Sequence, residues 1–131
     1  MIGLDTNVLV RYIMQDDERQ SLMASRLMES LTTEEPGFVS VVSVIELGWV
    51  LSGAYGLSRQ QLAQAFEALL RTKEVVIDRA ENVWQALRVH QAGQADFADA
   101  LIERISAAAG CRQTMTFDRG AAKHAGMTLV S

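Results

Sequence analysis

Met1-Ile2-Gly3-Leu4-Asp5-Thr6-Asn7-Val8-Leu9-Val10-Arg11-Tyr12 opens the chain with a short apolar run that stops on an acid and passes directly into a stretch of helical period. Ile2 to Asp5 reads as a strand and Asn7 to Met14 as a helix. The same alternation recurs. Further strands are expected at Gly37 to Ser40, Val75 to Asp78, Gln113 to Phe117 and Met127 to Val130. Between them, Asp16 or Asp17 can cap a helix reaching Leu31, with Leu22, Met23, Leu27 and Leu31 along one face. Pro36-Gly37 ends that helical region. Val42 to Tyr55 forms the next helix, stopped by Gly56, and Ser58 caps another from Arg59 to Arg71. Ala80 to Gln91 and Asp96 to Ala109 follow, separated by Gly93, with Gly110 closing the second and a short helix over Arg119 to His124. Short apolar runs alternating with helices imply an α/β fold, a parallel sheet of about five short strands covered by helices.

With 131 residues, 49% of them hydrophobic, the chain is the size of one domain, taken here as 1–131. No segment has the ~18 unbroken apolar residues of a membrane helix, and the opening run meets a charge too early for a signal peptide. A cytoplasmic protein without membrane contact is expected. Cys111 is the single cysteine, so no internal disulfide can form, and plain burial is its expected state. The formal net charge of −4 argues against a broad phosphate-binding surface, although acids that hold cations count towards it.

Those acids carry the chemistry. Asp5, Glu46, Asp96, Asp99 and Asp118 come from four separate segments, each embedded in apolar sequence. An unpaired buried charge must be neutralised, hydrogen-bonded or given a cation, so such a set points to a shared ion. Magnesium or manganese suits an all-oxygen set, whereas zinc would want His or Cys at ligand spacing, which neither His90 nor His124 offers. Asp5 and Asp118 each end a strand, the edge at which open α/β sheets bind ligands, yet each can equally be a helix N-cap. Glu46 lies among Val42, Ser43, Trp49 and Val50, and is expected to be partly buried. Asp96 and Asp99 share a helix face; Asp96 can cap, while Asp99 lies one turn in and is the better ligand.

Leu4-Asp5-Thr6-Asn7-Val8-Leu9-Val10-Arg11-Tyr12, Ser40-Val41-Val42-Ser43-Val44-Ile45-Glu46-Leu47-Gly48-Trp49-Val50-Leu51, Asp96-Phe97-Ala98-Asp99-Ala100-Leu101-Ile102 and Thr116-Phe117-Asp118 together resemble, in order, the four motifs of the PIN domain, and more narrowly of VapC-type ribonuclease toxins from toxin–antitoxin pairs. The resemblance implies a three-layer α/β/α fold with a central parallel sheet flanked by helices. It implies that Asp5, Glu46, Asp99 and Asp118 hold one or two Mg2+ or Mn2+ ions, with Asp96 less firmly placed because its position varies in the family. It further implies a homodimer, an RNA substrate and a cognate VapB-type antitoxin that inserts residues into the active groove.

Phosphodiester hydrolysis needs an activated water, a neutralised phosphate and a stabilised leaving oxygen, all within reach of carboxylate-held metal. As a hypothesis, Asp5 and Asp99 bind the principal ion, Glu46 and Asp118 act through its waters or hold a second ion, and Thr6 or Thr116 orients a ligand carboxylate. Arg11, Arg79, Arg119 and Lys123, near strand ends or motifs, are candidates for a basic RNA-binding rim. Two rivals stand beside this reading. An Asp-nucleophile phosphatase would want a second Asp two residues after Asp5, where the chain has Asn7. A catalytically silent nucleic-acid-binding or regulatory module on the same fold would have no reason to retain the costly acids.

Overall fold

The computed structural model describes all 131 residues. In chain order run β1 (Ile2–Gly3), α1 (Thr6–Met14), α2 (Glu18–Ser30), β2 (Gly37–Val39), α3 (Val41–Trp49), a π-helical turn (Val50–Ala54), α4 (Arg59–Leu70), β3 (Val75–Ile77), α5 (Ala80–Ala92), α6 (Phe97–Ala108), β4 (Met115–Thr116), α7 (Arg119–His124) and β5 (Thr128–Leu129). The chain divides into two compact units, Met1–Ala80 and Glu81–Ser131.

In the first unit β1, β2 and β3 form a parallel sheet in that order, in the register Ile2 to Gly37 and Gly37 to Val75. The Leu4 amide donates to the Phe38 carbonyl at 2.9 Å, carrying the ladder one residue past β1 to the threshold of Asp5. Helix α1 packs on α2 and α3, and α4 packs on β3. Leu9, Val39, Val44, Leu47, Leu51 and Phe66 are fully buried, so the inward stripes of α1, α3 and α4 meet the sheet in one apolar core. In the second unit β4 and β5 pair in parallel with α7 against them, while Val83, Leu87, Phe97 and Leu101 bury the inner faces of α5 and α6.

The helix-rich, parallel α/β reading therefore holds, with corrections of detail. All five strands exist but are shorter than the apolar runs, and they form a three-stranded sheet and a separate two-stranded pair. The run ends are lost because their last residues become helix caps, as Asp5 and Ser40 do. On α2 the buried stripe is Ser21, Ala24 and Met28, and Leu22 and Met23 point outward. Small residues at the contact let α1 and α2 approach closely, which decides the face against the larger side chains. Asp17, not Asp16, caps α2, accepting from the Gln20 amide at 2.8 Å.

The expected single helix over Val42 to Tyr55 breaks at Trp49, and the last turn widens to π geometry, with the Tyr55 amide bonded to the Val50 carbonyl. The Ser52 hydroxyl takes the Gly48 carbonyl at 2.7 Å, and Gly53 offers no side chain to hold the tighter spiral. Cys111 is exposed rather than buried, as is Trp49. No helix is long and apolar enough to cross a membrane.

Gly37 is the tightest point of the first sheet. A Cβ there would stand 2.7 Å from Leu4 Cδ1 and 2.9 Å from Leu31 Cδ1, and both leucines are buried and cannot swing clear. We predict that Gly37→Ala lowers stability by about 1–3 kcal/mol in urea unfolding, the usual cost of overpacking; an unchanged midpoint would show that the leucines yield freely.

Candidate functional site

Three of the acids do two things at once. Asp5 is the N-cap of α1, its Oδ1 accepting from the Thr6 amide at 2.8 Å. Asp96 caps α6 through Oδ2, which accepts from the Asp99 amide at 3.1 Å, and Asp118 caps α7 through Oδ1, which accepts from Gly120 and Ala121. Each cap occupies one carboxylate oxygen and leaves the other without a protein partner. The capping and ligand readings, set against each other in the sequence, are thus compatible.

In the first unit Asp5 and Glu46 line one open cleft of about 560 Å³, together with Asn7, Arg11 and Tyr55. That lies within the size range of small-molecule and cofactor sites. Glu46 is exposed, not partly buried as expected, because α3 turns Val44 and Leu47 to the core and leaves Val42, Glu46 and Trp49 outside. Its carboxylate has no hydrogen bond or ion pair. Beside Asp5, Thr6 is buried and its hydroxyl finds no partner, although its amide serves Asp5. A buried hydroxyl without a partner loses its hydration for nothing, so Thr6 retains bonding capacity next to the acid.

In the second unit Asp96, Asp99 and Asp118 interact. Asp99 is half-buried, and its carboxyl is raised above the ordinary range first by desolvation, then by the charge of Asp96, then by that of Asp118. No base on this unit pairs with it. Thr116 supports the arrangement by accepting the Asp118 amide at 3.0 Å. Asp5, Asp96 and Asp118 are exposed, because helix N-termini form at the edge of a fold, where their amides face solvent or a ligand.

Within neither unit does a group of three or more His, Cys, Asp or Glu stand at metal-ligand spacing. The donor chemistry nonetheless fits a hard divalent cation. Every donor is a carboxylate oxygen, capped acids keep one oxygen free, Asp99 lacks a counter-charge, and the Thr6 hydroxyl is unspent.

A model of the PIN domain family matches residues 2–127. This chain is a PIN domain. PIN domains are generally metal-dependent nucleases, and their nuclease members use divalent metals such as Mg2+ on nucleic-acid substrates. Comparison with curated proteins finds no match.

Sequence reasoning missed several residues around the PIN acids. Asp78 follows β3, and its Oδ2 accepts the Val41 amide at 3.3 Å while its own amide donates to Val39, so it ties β3 to the start of the helix that carries Glu46. The signal was present: Val75-Val76-Ile77-Asp78 is an apolar run ending on an acid, as is the opening run. Asp16, Gln20 and Tyr55, which converge on Arg11, had no such signal: Asp16 and Gln20 follow Arg11 across a chain reversal, and Tyr55 lies 44 residues away. Of the proposed rim, Arg11 lines the acid cleft, whereas Arg79, Arg119 and Lys123 are simply exposed.

The raised Asp99 carboxyl has a defined consequence for stability. An acid held above its unfolded value binds its proton more tightly when folded, so its contribution favours the fold at low pH and diminishes as pH rises through the window between the two values. In EDTA, Asp99→Asn should remove that decline and be at least as stable as the parent at neutral pH. Parallel stability–pH curves for the two proteins would contradict this account of Asp99.

Proposed function

We propose that this PIN domain, acting as one domain over 1–131, is a cytoplasmic Mg2+- or Mn2+-dependent endoribonuclease and the toxin of a VapBC-type toxin–antitoxin pair. The observation that carries the reading is Asp99: a half-buried carboxylate one turn into α6, without a basic partner, set among further acids that raise it. A fold keeps such a group at a cost to stability, which a structural role does not explain and cation binding does.

Asp5, Glu46, Asp99 and Asp118 are the proposed ligands, with Asp96 the weaker one. When bound, a divalent cation held by these carboxylates would supply neutralisation of phosphate charge and activation of water. The chain's own groups do the rest. Caps on α1 and α7 fix the angle of Asp5 and Asp118, Thr116 holds the Asp118 backbone, and the unspent Thr6 hydroxyl is free to bond a ligand of Asp5. Val42 and Trp49, exposed and seven apart on α3, support an apolar surface for the homodimer or the antitoxin.

The test is cleavage of total cellular RNA by the purified protein with Mg2+ or Mn2+, beside EDTA and Asp99→Asn. We expect discrete fragments with metal and none in either control, a loss of at least ~100-fold for the variant if metal supplies the catalytic charge stabilisation. Intact RNA under all conditions, from protein whose fold is verified by circular dichroism, would replace this reading with the silent binding module.

A further inference from the structure

Arg11 is the one basic side chain lining the cleft that holds Asp5 and Glu46, and three side chains hold its guanidinium. Its Nε donates to Gln20 Oε1 at 2.7 Å, and its Nη1 donates to the Tyr55 hydroxyl at 3.0 Å and to Asp16 at 3.2 Å. The Tyr55 hydroxyl in turn donates to Asp16 Oδ2 at 2.6 Å. The second terminal nitrogen, Nη2, has no partner in the protein.

Two local irregularities assemble this network. Gln15 ends α1 in the left-handed conformation at φ 50°, an uncommon one for a residue with a side chain, which reverses the chain so that Asp16 returns towards Arg11. The π turn after α3 places Tyr55 at its end, on the cleft wall. Stability is a poor explanation for the result, since an exposed ion pair contributes little. Orientation is a better one. A planar guanidinium held through Nε and Nη1 aims the two N–H groups of its free Nη2 in fixed directions, where they can donate to a phosphate oxygen. Hydrogen bonding to Asp16 pushes the Tyr55 phenol up, and Tyr55 pushes the Asp16 carboxyl down, so the network keeps its donors and charges around neutral pH.

We propose that Arg11, clamped by Asp16, Gln20 and Tyr55, anchors one backbone phosphate of single-stranded RNA in the Asp5–Glu46 cleft through the free N–H groups of its Nη2, and that Tyr55 is the positioning residue for that guanidinium. The proposal rests on the ribonuclease reading above and adds to it a specific substrate contact.

The experiment is binding of a short fluorescent single-stranded RNA, by anisotropy over a series of KCl concentrations with Mg2+ present. The protein carries Asp99→Asn to prevent cleavage, and Arg11→Gln, Arg11→Lys and Tyr55→Phe are added singly. Loss of one phosphate contact on a single strand should lower the slope of log affinity against log salt by about 0.7. Arg11→Gln should show that loss with weaker binding, Arg11→Lys should recover the slope, and Tyr55→Phe should weaken binding with the slope retained, because the charge remains but its aim is lost. Parent binding with an unaltered slope in Arg11→Gln would overturn the anchor and leave the nuclease reading standing. A parent that binds no RNA would overturn both. If Arg11→Gln fails to fold, Tyr55→Phe decides: affinity equal to the parent's would end the proposal.

Discussion

A carboxylate that caps a helix gives one oxygen to the backbone and keeps the other. That division of labour underlies this molecule. Asp5, Asp96 and Asp118 each stand where an extended segment becomes a helix, and each satisfies amides that would otherwise be orphaned at the helix start. The positive end of a helix dipole is a favourable place for a carboxylate, and none of these three has a basic partner. Helix capping in these three acids therefore leaves an oxygen of each available to a ligand.

Asp99 and Glu46 lie outside that arrangement. Asp99 receives no hydrogen bond on its carboxylate and is raised by burial and by its acidic neighbours, whereas Glu46 is simply open to the cleft. One holds unrelieved repulsion and the other is uncommitted. Around them, Asp78 at the first turn of α3 and the Asp16–Tyr55 pair on Arg11 are held by bonds between distant segments, and Thr116 holds the Asp118 amide by a local one. The capping acids are placed by secondary structure, and the Arg11 network beside Asp5 and Glu46 largely by contact between distant segments.

Two irregular stretches of backbone bear on the first-unit cleft through Arg11. A left-handed Gln15 and a π turn at Val50–Ala54 are both departures from the conformation that their sequence neighbourhoods favour. Each delivers a side chain, Asp16 in one case and Tyr55 in the other, to the same guanidinium. Departures of this kind are retained where the surrounding structure over-determines them, and here the hydrogen bonds on Arg11 do so.

The sequence by itself determined the alternation of strands and helices, the five acids, and the positions of two of them, Asp5 and Asp118, at strand-to-helix junctions, because apolar period and capping chemistry are local properties. It also carried the order of motifs that marks the PIN family. Only the tertiary structure decided which face of α2 is buried, since close packing on α1 favours Ser21 and Ala24 over the larger Leu22 and Met23. It likewise decided that Glu46 and Cys111 are exposed, and that residues from three parts of the first unit meet on Arg11. Burial and hydrogen bonding between residues distant in sequence depend on how elements pack, and no local pattern encodes that.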